Sequence, residues 1–371
     1  MGAARRSINA ACPSCVRRSW LLGELSAVLD RNCRNDGRLF DLLALADEQL
    51  IDALGGRRRA ELHRQHGDFD GSALSLRSGI AAICEHDRRY PAALRGRGAP
   101  RMLHATSDLV RLHTLMGAPV VAIFACGRAS DYGLELARAL GRGLGASGLT
   151  IAVGDGGGIT QAALAGTLEA DGATLVAAGD GLGIPTAACR RGARIRHERR
   201  GCTIAELPCN ARGRRWGMAA AERTIASLAD IAVVVEAEEN RRALAAARMA
   251  REQGTPLAAF PGRVSSPASS GSHLLLREGA RLVRDAADVL DLLYGADGGH
   301  TRQLSLTVAP ELAPRLRAVR EQIARGIDTP GELTANATQP GAILAALGEL
   351  ELLGVVQRGD GGRYMISDAL H

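Results

Sequence analysis

The sequence predicts the α/β class: a doubly wound parallel sheet, with a helical module before it and a small helix-and-hairpin domain after it. Three observations carry this. Between residues 118 and 293, short unbroken Val/Ile/Ala runs alternate with helical stretches, as parallel strands buried on both faces require. Between residues 15 and 55, leucines recur at three- and four-residue spacing. After a Gly-rich stretch at 295–309, the pattern turns to helix, short helix, helix and two strands.

Taken in order, residues 1–85 form the helical module, of the SAM or helix-hairpin-helix kind. "SWLLGELSAVLDR" and "RLFDLLALADEQLIDALGG" predict two or three short helices, closed by Gly55-Gly56. "RRRAELHRQ" predicts a solvated helix. Residues 86–294 form the Rossmann-like domain. A Pro- and Arg-rich segment at 86–105 leads into it, with "RMLHA" as a short edge strand. The strands "PVVAIFA", "LTIAVG", "ATLVAAG", "DIAVVVEA" and "TPLAAFPG" follow, separated by helices such as "GLELARALGRGLGAS", "ITQAALAGTLEAD", "GMAAAERTIASLA" and "RRALAAARMAREQ". Residues 295–310 are a linker and 311–371 a winged-helix domain, with a hairpin around "GDGG".

Composition narrows the function. All 46 basic side chains are arginine, and the net charge of +6 permits a polyanionic partner. Aromatic residues are only 3%, too few for a platform that stacks single-stranded bases. No run of apolar residues is long enough for a membrane span, and "MGAARRSINA" lacks the apolar core of a secretory signal. The eight cysteines are scattered, so a reduced, cytoplasmic protein without a disulfide framework is expected. Cys12 and Cys15 form one CxxC; with no second pair at suitable spacing, they read as plain thiols and no metal is expected.

Three predicted strands end in small-residue turns: "CGR" at 126–128, "GDGGG" at 154–158 and "GDGLG" at 179–183. Glycine lets the main chain approach a ligand, and amides at a helix start favour an anion. "GDGGGIT" is neither a Walker loop nor a dinucleotide fingerprint. No Ser/His/Asp order or His pair marks a catalytic centre; Asp155 and Asp180 read as turn formers, His197 and His273 as structural groups.

At this point the chain resembles the DNA-processing protein A (DprA/Smf) family. "HDRRYPAAL" resembles its Tyr-Pro-x-x-Leu segment, and "VAIFACGRASDYG" its strand, Gly-Ser-Arg turn and helix start. "ELP" at 206–208 and "AERTIASLADIAVVVEA" resemble its Arg-Asn-Arg helix and following strand. "FPGRVSSPASSGSHLLLREGARLVRDAADVL" is the most specific match. The resemblance implies a homodimeric recombination mediator of natural transformation. Such a protein binds and protects single-stranded DNA and helps load the RecA recombinase, without catalysis or cofactor. It implies a phosphate-binding pocket in which Gly127, Arg128, Ser130, Gly154, Gly158 and Arg223 take part, with Arg212, Arg214 and Arg215 enriching the field.

The chain departs from the family's pattern, as a diverged member. The Gly-Ser-Arg turn is Cys126-Gly127-Arg128, the Arg-Asn-Arg is Ala221-Glu222-Arg223, and Leu164 stands where the family has His. Its Ser-Gly-Ser-Leu is Arg241-Arg242-Ala243-Leu244, which adds two cations at the rim. The third helix of the tail carries Glu349 and Glu351 and no arginine, which favours a protein contact over a major groove. Two other readings stand beside this one: a nucleotide-binding enzyme of the lysine-decarboxylase-like phosphoribohydrolase type, and a degenerate scaffold that keeps only partner binding.

Overall fold

A computed structural model gives the fold. It describes residues 9–32, 36–70, 80–96, 99–125, 129–184, 197–239, 242–295, 313–335, 339–352, 355–358 and 363–366. The chain divides into two compact units, Met1–Gly299 and His300–His371.

The larger unit opens with β1 (Asn9–Ala10), α1 (Pro13–Asn32), α2 (Asp36–Leu43), α3 (Asp47–Leu54) and α4 (Arg59–Asp68). β2 (Ala81–Cys84), β3 (Met102–Ala105) and α5 (Leu109–Gly117) lead to the alternating region. There follow β4 (Val120–Phe124), α6 (Asp131–Ala146), β5 (Thr150–Gly154), α7 (Ile159–Glu169), β6 (Ala173–Ala178) and β7 (Gly201–Ala205). α8 (Arg214–Leu228), β8 (Ile231–Val234), α9 (Arg242–Glu252), β9 (Leu257–Ala259), α10 (Ser270–Arg277), β10 (Arg281–Leu282) and α11 (Ala286–Tyr294) complete it.

All ten strands form one sheet, in the order β1-β2-β3-β7-β6-β5-β4-β8-β9-β10. From β7 to β10 every pairing is parallel. The chain starts at β4, steps outward through β5 and β6 to β7, then returns to the other side of β4 with β8. The order therefore reverses between β4 and β8, the switch point of a doubly wound sheet. "RMLHA" corrects one expectation. It forms β3 but is not an edge, because β2 and β7 both pair with it, antiparallel. The sheet also extends to β1 and β2, N-terminal to the domain boundary expected at residue 86.

Successive side chains of β4 go to opposite faces, as a pleated strand demands. Val120, Ala122 and Phe124 join the core with Leu109, Leu112, Ile225 and Ala247. Val121 and Ile123 join the other with Leu140, Leu144, Ile159 and Ala163. Polar alternation is absent because both faces are covered.

The N-terminal helices pack on α8 through a shared core that includes Leu21, Leu25, Leu50, Ile51 and Trp216. The Trp216 indole donates to Ser26 Oγ at 2.9 Å, and Ser26 in turn donates to the Arg212 carbonyl. The long leucine run "RLFDLLALADEQLIDALGG" breaks into α2 and α3 at residues 44–46. Arg18, a buried guanidinium, meets the carbonyls of Leu43 (2.7 Å) and Leu45 (3.0 Å) and the Asp47 carboxylate (2.8 Å) at that break. The bond to Leu43 satisfies the last carbonyl of α2, which a helix end leaves open, and the other two hold the break.

The smaller unit comprises α12 (Pro314–Ala324), α13 (Pro330–Ala335), α14 (Pro340–Leu352) and the antiparallel pair β11 (Val356–Arg358) and β12 (Tyr364–Ile366). It has its own core, including Leu316, Val319, Leu333, Leu347, Leu350 and Tyr364. Glu349 of α14 pairs with Arg315 at 2.7 Å, and Arg363 with Asp328 at 3.4 Å.

Candidate functional site

The carboxyl ends of β4 and β5 flank a cleft of about 170 Å³. Ile123, Phe124, Ala125 and Ala129 line it from the β4 side; Gly154, Gly156, Gly157, Ile159 and Thr160 line it from the β5–α7 loop. Met218 and Glu222, one turn apart on α8, close it. Gly158 sits at the N-cap of α7 with φ +61° and ψ −117°, a combination open to glycine and strained for other residues. A Cβ there would also lie 3.1 Å from the Ala129 methyl. The glycine thus brings the β5–α7 loop against the β4 side, and the first two residues of α7, Ile159 and Thr160, line the cleft. Thr160 spends its hydroxyl on the Gly157 carbonyl at 3.1 Å, holding the loop.

Next to the cleft, the crevice at the β4/β8 switch point is occupied by the protein itself. Glu236, buried just after β8, accepts from the Ser130 N–H at 3.0 Å and from its hydroxyl at 2.6 Å. Ser130 Oγ accepts in turn from the Gly133 N–H at 3.0 Å, capping α6. A carboxylate at a helix start is favoured by the macrodipole and by the unpaired amides there. Gly133 makes the room: a Cβ at that position would overlap the Glu236 carboxylate. Ser130 is therefore engaged inside the protein. Sequence reasoning missed Glu236, which is 106 residues from Ser130; the signal was an acidic residue directly after a buried strand.

Arg223 also lies away from the cleft lining. It is buried on α8, its guanidinium 2.5 Å from Glu206 and stacked 5.2 Å over the Phe40 ring. This side of α8 faces the N-terminal helices, whereas Met218 and Glu222 face the cleft. Gly127, Arg128 and Arg241 lie outside the described residues. Arg242 is the first residue of α9. Arg212, Arg214 and Arg215 are exposed around the start of α8; the Arg215 N–H donates to Asp30 at 2.9 Å, and Arg214 holds a left-handed φ of 55°.

The third glycine turn has a packing purpose. Asp180 accepts from the Gly213 N–H at 2.8 Å at the start of α8. Side chains in place of Gly179 and Gly217 would collide, since Gly217 rests on the Gly179 carbonyl. His197 bridges two strands, its ring nitrogens 2.8 Å from Thr174 Oγ1 and 2.9 Å from Thr203 Oγ1; burial pushes its pKa down to about 4. His273 sits 3.1 Å from the Gly262 carbonyl. Both are structural groups.

A second cluster lies on the β2 side of the sheet: Cys12, Cys15, Cys84 and His86, with ligand atoms all within 4.8 Å of one another. In the sequence Cys12 and Cys15 stand alone, because Cys15 and His86 are 71 residues apart. The available signal was "CEH" at 84–86.

The model of the DNA recombination-mediator protein A family matches residues 81–294, more than half of the chain and all of the switch-point sheet from β2 onward. The chain belongs to that family. It is 31% identical over 333 residues to a DNA processing protein DprA of Mycobacterium tuberculosis, covering 84% of this chain and 82% of that protein. It is 29% identical over 280 residues to protein Smf of Escherichia coli, covering 73% of each. The X-ray structure of DNA processing protein A from Streptococcus pneumoniae superposes with a TM-score of 0.56 at 24% identity, covering 74% of this chain and 97% of that one. That likeness extends the family assignment to the fold. Among the described residues, no helix is long and apolar enough to cross a membrane.

Proposed function

We propose that this member of the recombination-mediator family binds the backbone of single-stranded DNA at the cleft between β4 and β5, and makes or breaks no bond. The observation that carries the reading is the cleft's construction. Gly154, Gly156 and Gly157 and the first two residues of α7, Ile159 and Thr160, line it at the ligand-binding end of a doubly wound sheet, where a helix start favours an anion. Amides that meet a phosphate carry no base preference. The volume favours a passing phosphodiester over an enclosed nucleotide. About 170 Å³ is below the roughly 300–1,000 Å³ of small-molecule sites, which counts against the phosphoribohydrolase reading.

Within this proposal Gly154 and Gly158 admit the backbone, and Arg128, Arg241 and Arg242 supply cations. Gly127 and Arg128 lie in sequence between Ala125 and Ala129, both of which line the cleft. Ser130 acts through Glu236 by fixing the start of α6, and Arg223 by holding α8. The wider role is that of a cytoplasmic mediator of natural transformation that acts as a homodimer and hands DNA to RecA. Residues 311–371, as a winged-helix domain, serve a protein contact. Residues 1–85 and 86–294 act as a helical module and a DNA-binding domain that share a core.

Fluorescence anisotropy with oligo-dT over a salt series tests the reading. Affinity is expected to fall linearly on log–log axes, with a slope of about −0.7 per phosphate engaged. Salt-independent binding, or release of free base from a nucleotide, would overturn it.

A further inference from the structure

We propose that Cys12, Cys15, Cys84 and His86 bind one zinc ion in a closed, structural site. Cys12 and Cys15 bracket the first turn of α1, Cys84 ends β2, and His86 lies two residues beyond it. His86 Nδ1 stands 3.3 Å from Cys12 Sγ and 3.3 Å from Cys15 Sγ. The Cys12 backbone N–H donates to Cys84 Sγ at 3.3 Å, the kind of bond that supports a metal-bound thiolate.

The dimensions fit one ion. A tetrahedron with Zn–S of about 2.3 Å and Zn–N of about 2.0–2.1 Å has edges of roughly 3.5–3.8 Å. The four donor atoms already lie within 4.8 Å of one another, so small side-chain shifts complete it. The same spacing is too tight for an iron–sulfur cluster, whose ligands sit on different irons.

The donor set selects the metal. Three soft sulfurs and an imidazole suit zinc, whereas magnesium, calcium and manganese prefer oxygen. Four protein ligands leave no open position for water, so the site is structural and not catalytic. Three thiolates and a neutral imidazole around a dication carry one net negative charge, and the start of α1 beside it favours that sign. The ligands come in two close pairs, Cys-x-x-Cys at the start of α1 and Cys-x-His at the end of β2. The ion therefore ties the first helix of the N-terminal module to the outer end of the sheet. His86 is exposed and the other ligands are half-buried or buried, which gives zinc a way in.

The test is metal analysis of the full chain, purified under reducing conditions without chelator. About one zinc per chain is expected, retained through desalting. The Cys15→Ser and Cys84→Ser variants should each lose most of it, while Cys209→Ser keeps it. Because a cysteine variant can fail to fold, His86→Cys supplies a second reading. It should keep the metal, and after exchange to cobalt its tetrahedral visible bands should shift to the pattern of four thiolates. Wild-type protein free of zinc, with its thiols free or in a disulfide and no tetrahedral bands on adding cobalt, would overturn the site. Bands unchanged in His86→Cys would overturn His86 as a ligand.

Discussion

Two neighbours on α8, Glu222 and Arg223, face opposite ways, and that divides their roles. Arg223 and Glu206 form a buried pair. Truncating one partner leaves a buried charge, so Arg223→Met is expected to cost about 3–5 kcal/mol of stability, and Arg223→Met with Glu206→Leu should recover much of it. Urea unfolding checks this. DNA affinity that drops while stability holds would instead make Arg223 a phosphate contact. Glu222 lines the cleft, where its charge opposes phosphate. Glu222→Gln should tighten oligo-dT binding by roughly three- to tenfold; unchanged or weaker binding would place the DNA elsewhere. Helical periodicity in "AERTIASLA" marks a buried side of α8, but not which neighbour each polar residue meets. That is why Arg223 reads from sequence as a phosphate contact and sits instead among its own domain's side chains.

The start of α6 shows how an element is fixed at the switch point. Glu236 supplies an anion to the Ser130 N–H and hydroxyl from inside the chain. Glu236→Ala strands the Ser130 amide and is expected to cost about 1–3 kcal/mol, read by thermal or urea unfolding. No loss would mean that solvent replaces the carboxylate freely. The strands β4, β5, β6 and β8 and the helices between them are legible in the sequence, because burial on both faces leaves unbroken apolar runs. β1 and β10, two residues each, carry too little pattern to be read. β3 reads as an edge because its second partner, β7, comes from far along the chain. The same limit hides Glu236 from Ser130, and Cys84 and His86 from Cys12 and Cys15. The Gly158 turn is legible as a glycine loop open to positive φ, and the structure places Gly158 there at φ +61°; its closeness to Ala129 is not legible.

At the scale of the molecule, two buried histidines make stability depend on pH. Burial pushes His104 and His197 down to about 4 from the ordinary 6.5. An unfolded chain takes up protons on both below about pH 6.5, whereas the folded protein does not until about pH 4. Their stabilisation is thus complete above pH 6.5 and is lost as pH falls toward 4, by about 3 kcal/mol for each. Melting temperatures across that window should fall steadily; a flat profile would show that the imidazoles reach solvent. The proposed function rests on a different property of the whole sheet: under that proposal, main-chain amides at its ligand-binding end meet a polymer's phosphates. Amide hydrogen exchange with and without oligo-dT tests that claim most directly. Exchange should slow across residues 154–162, the β5–α7 loop and the first turn of α7. Protection confined to other parts of the chain, with this loop unchanged, would contradict it.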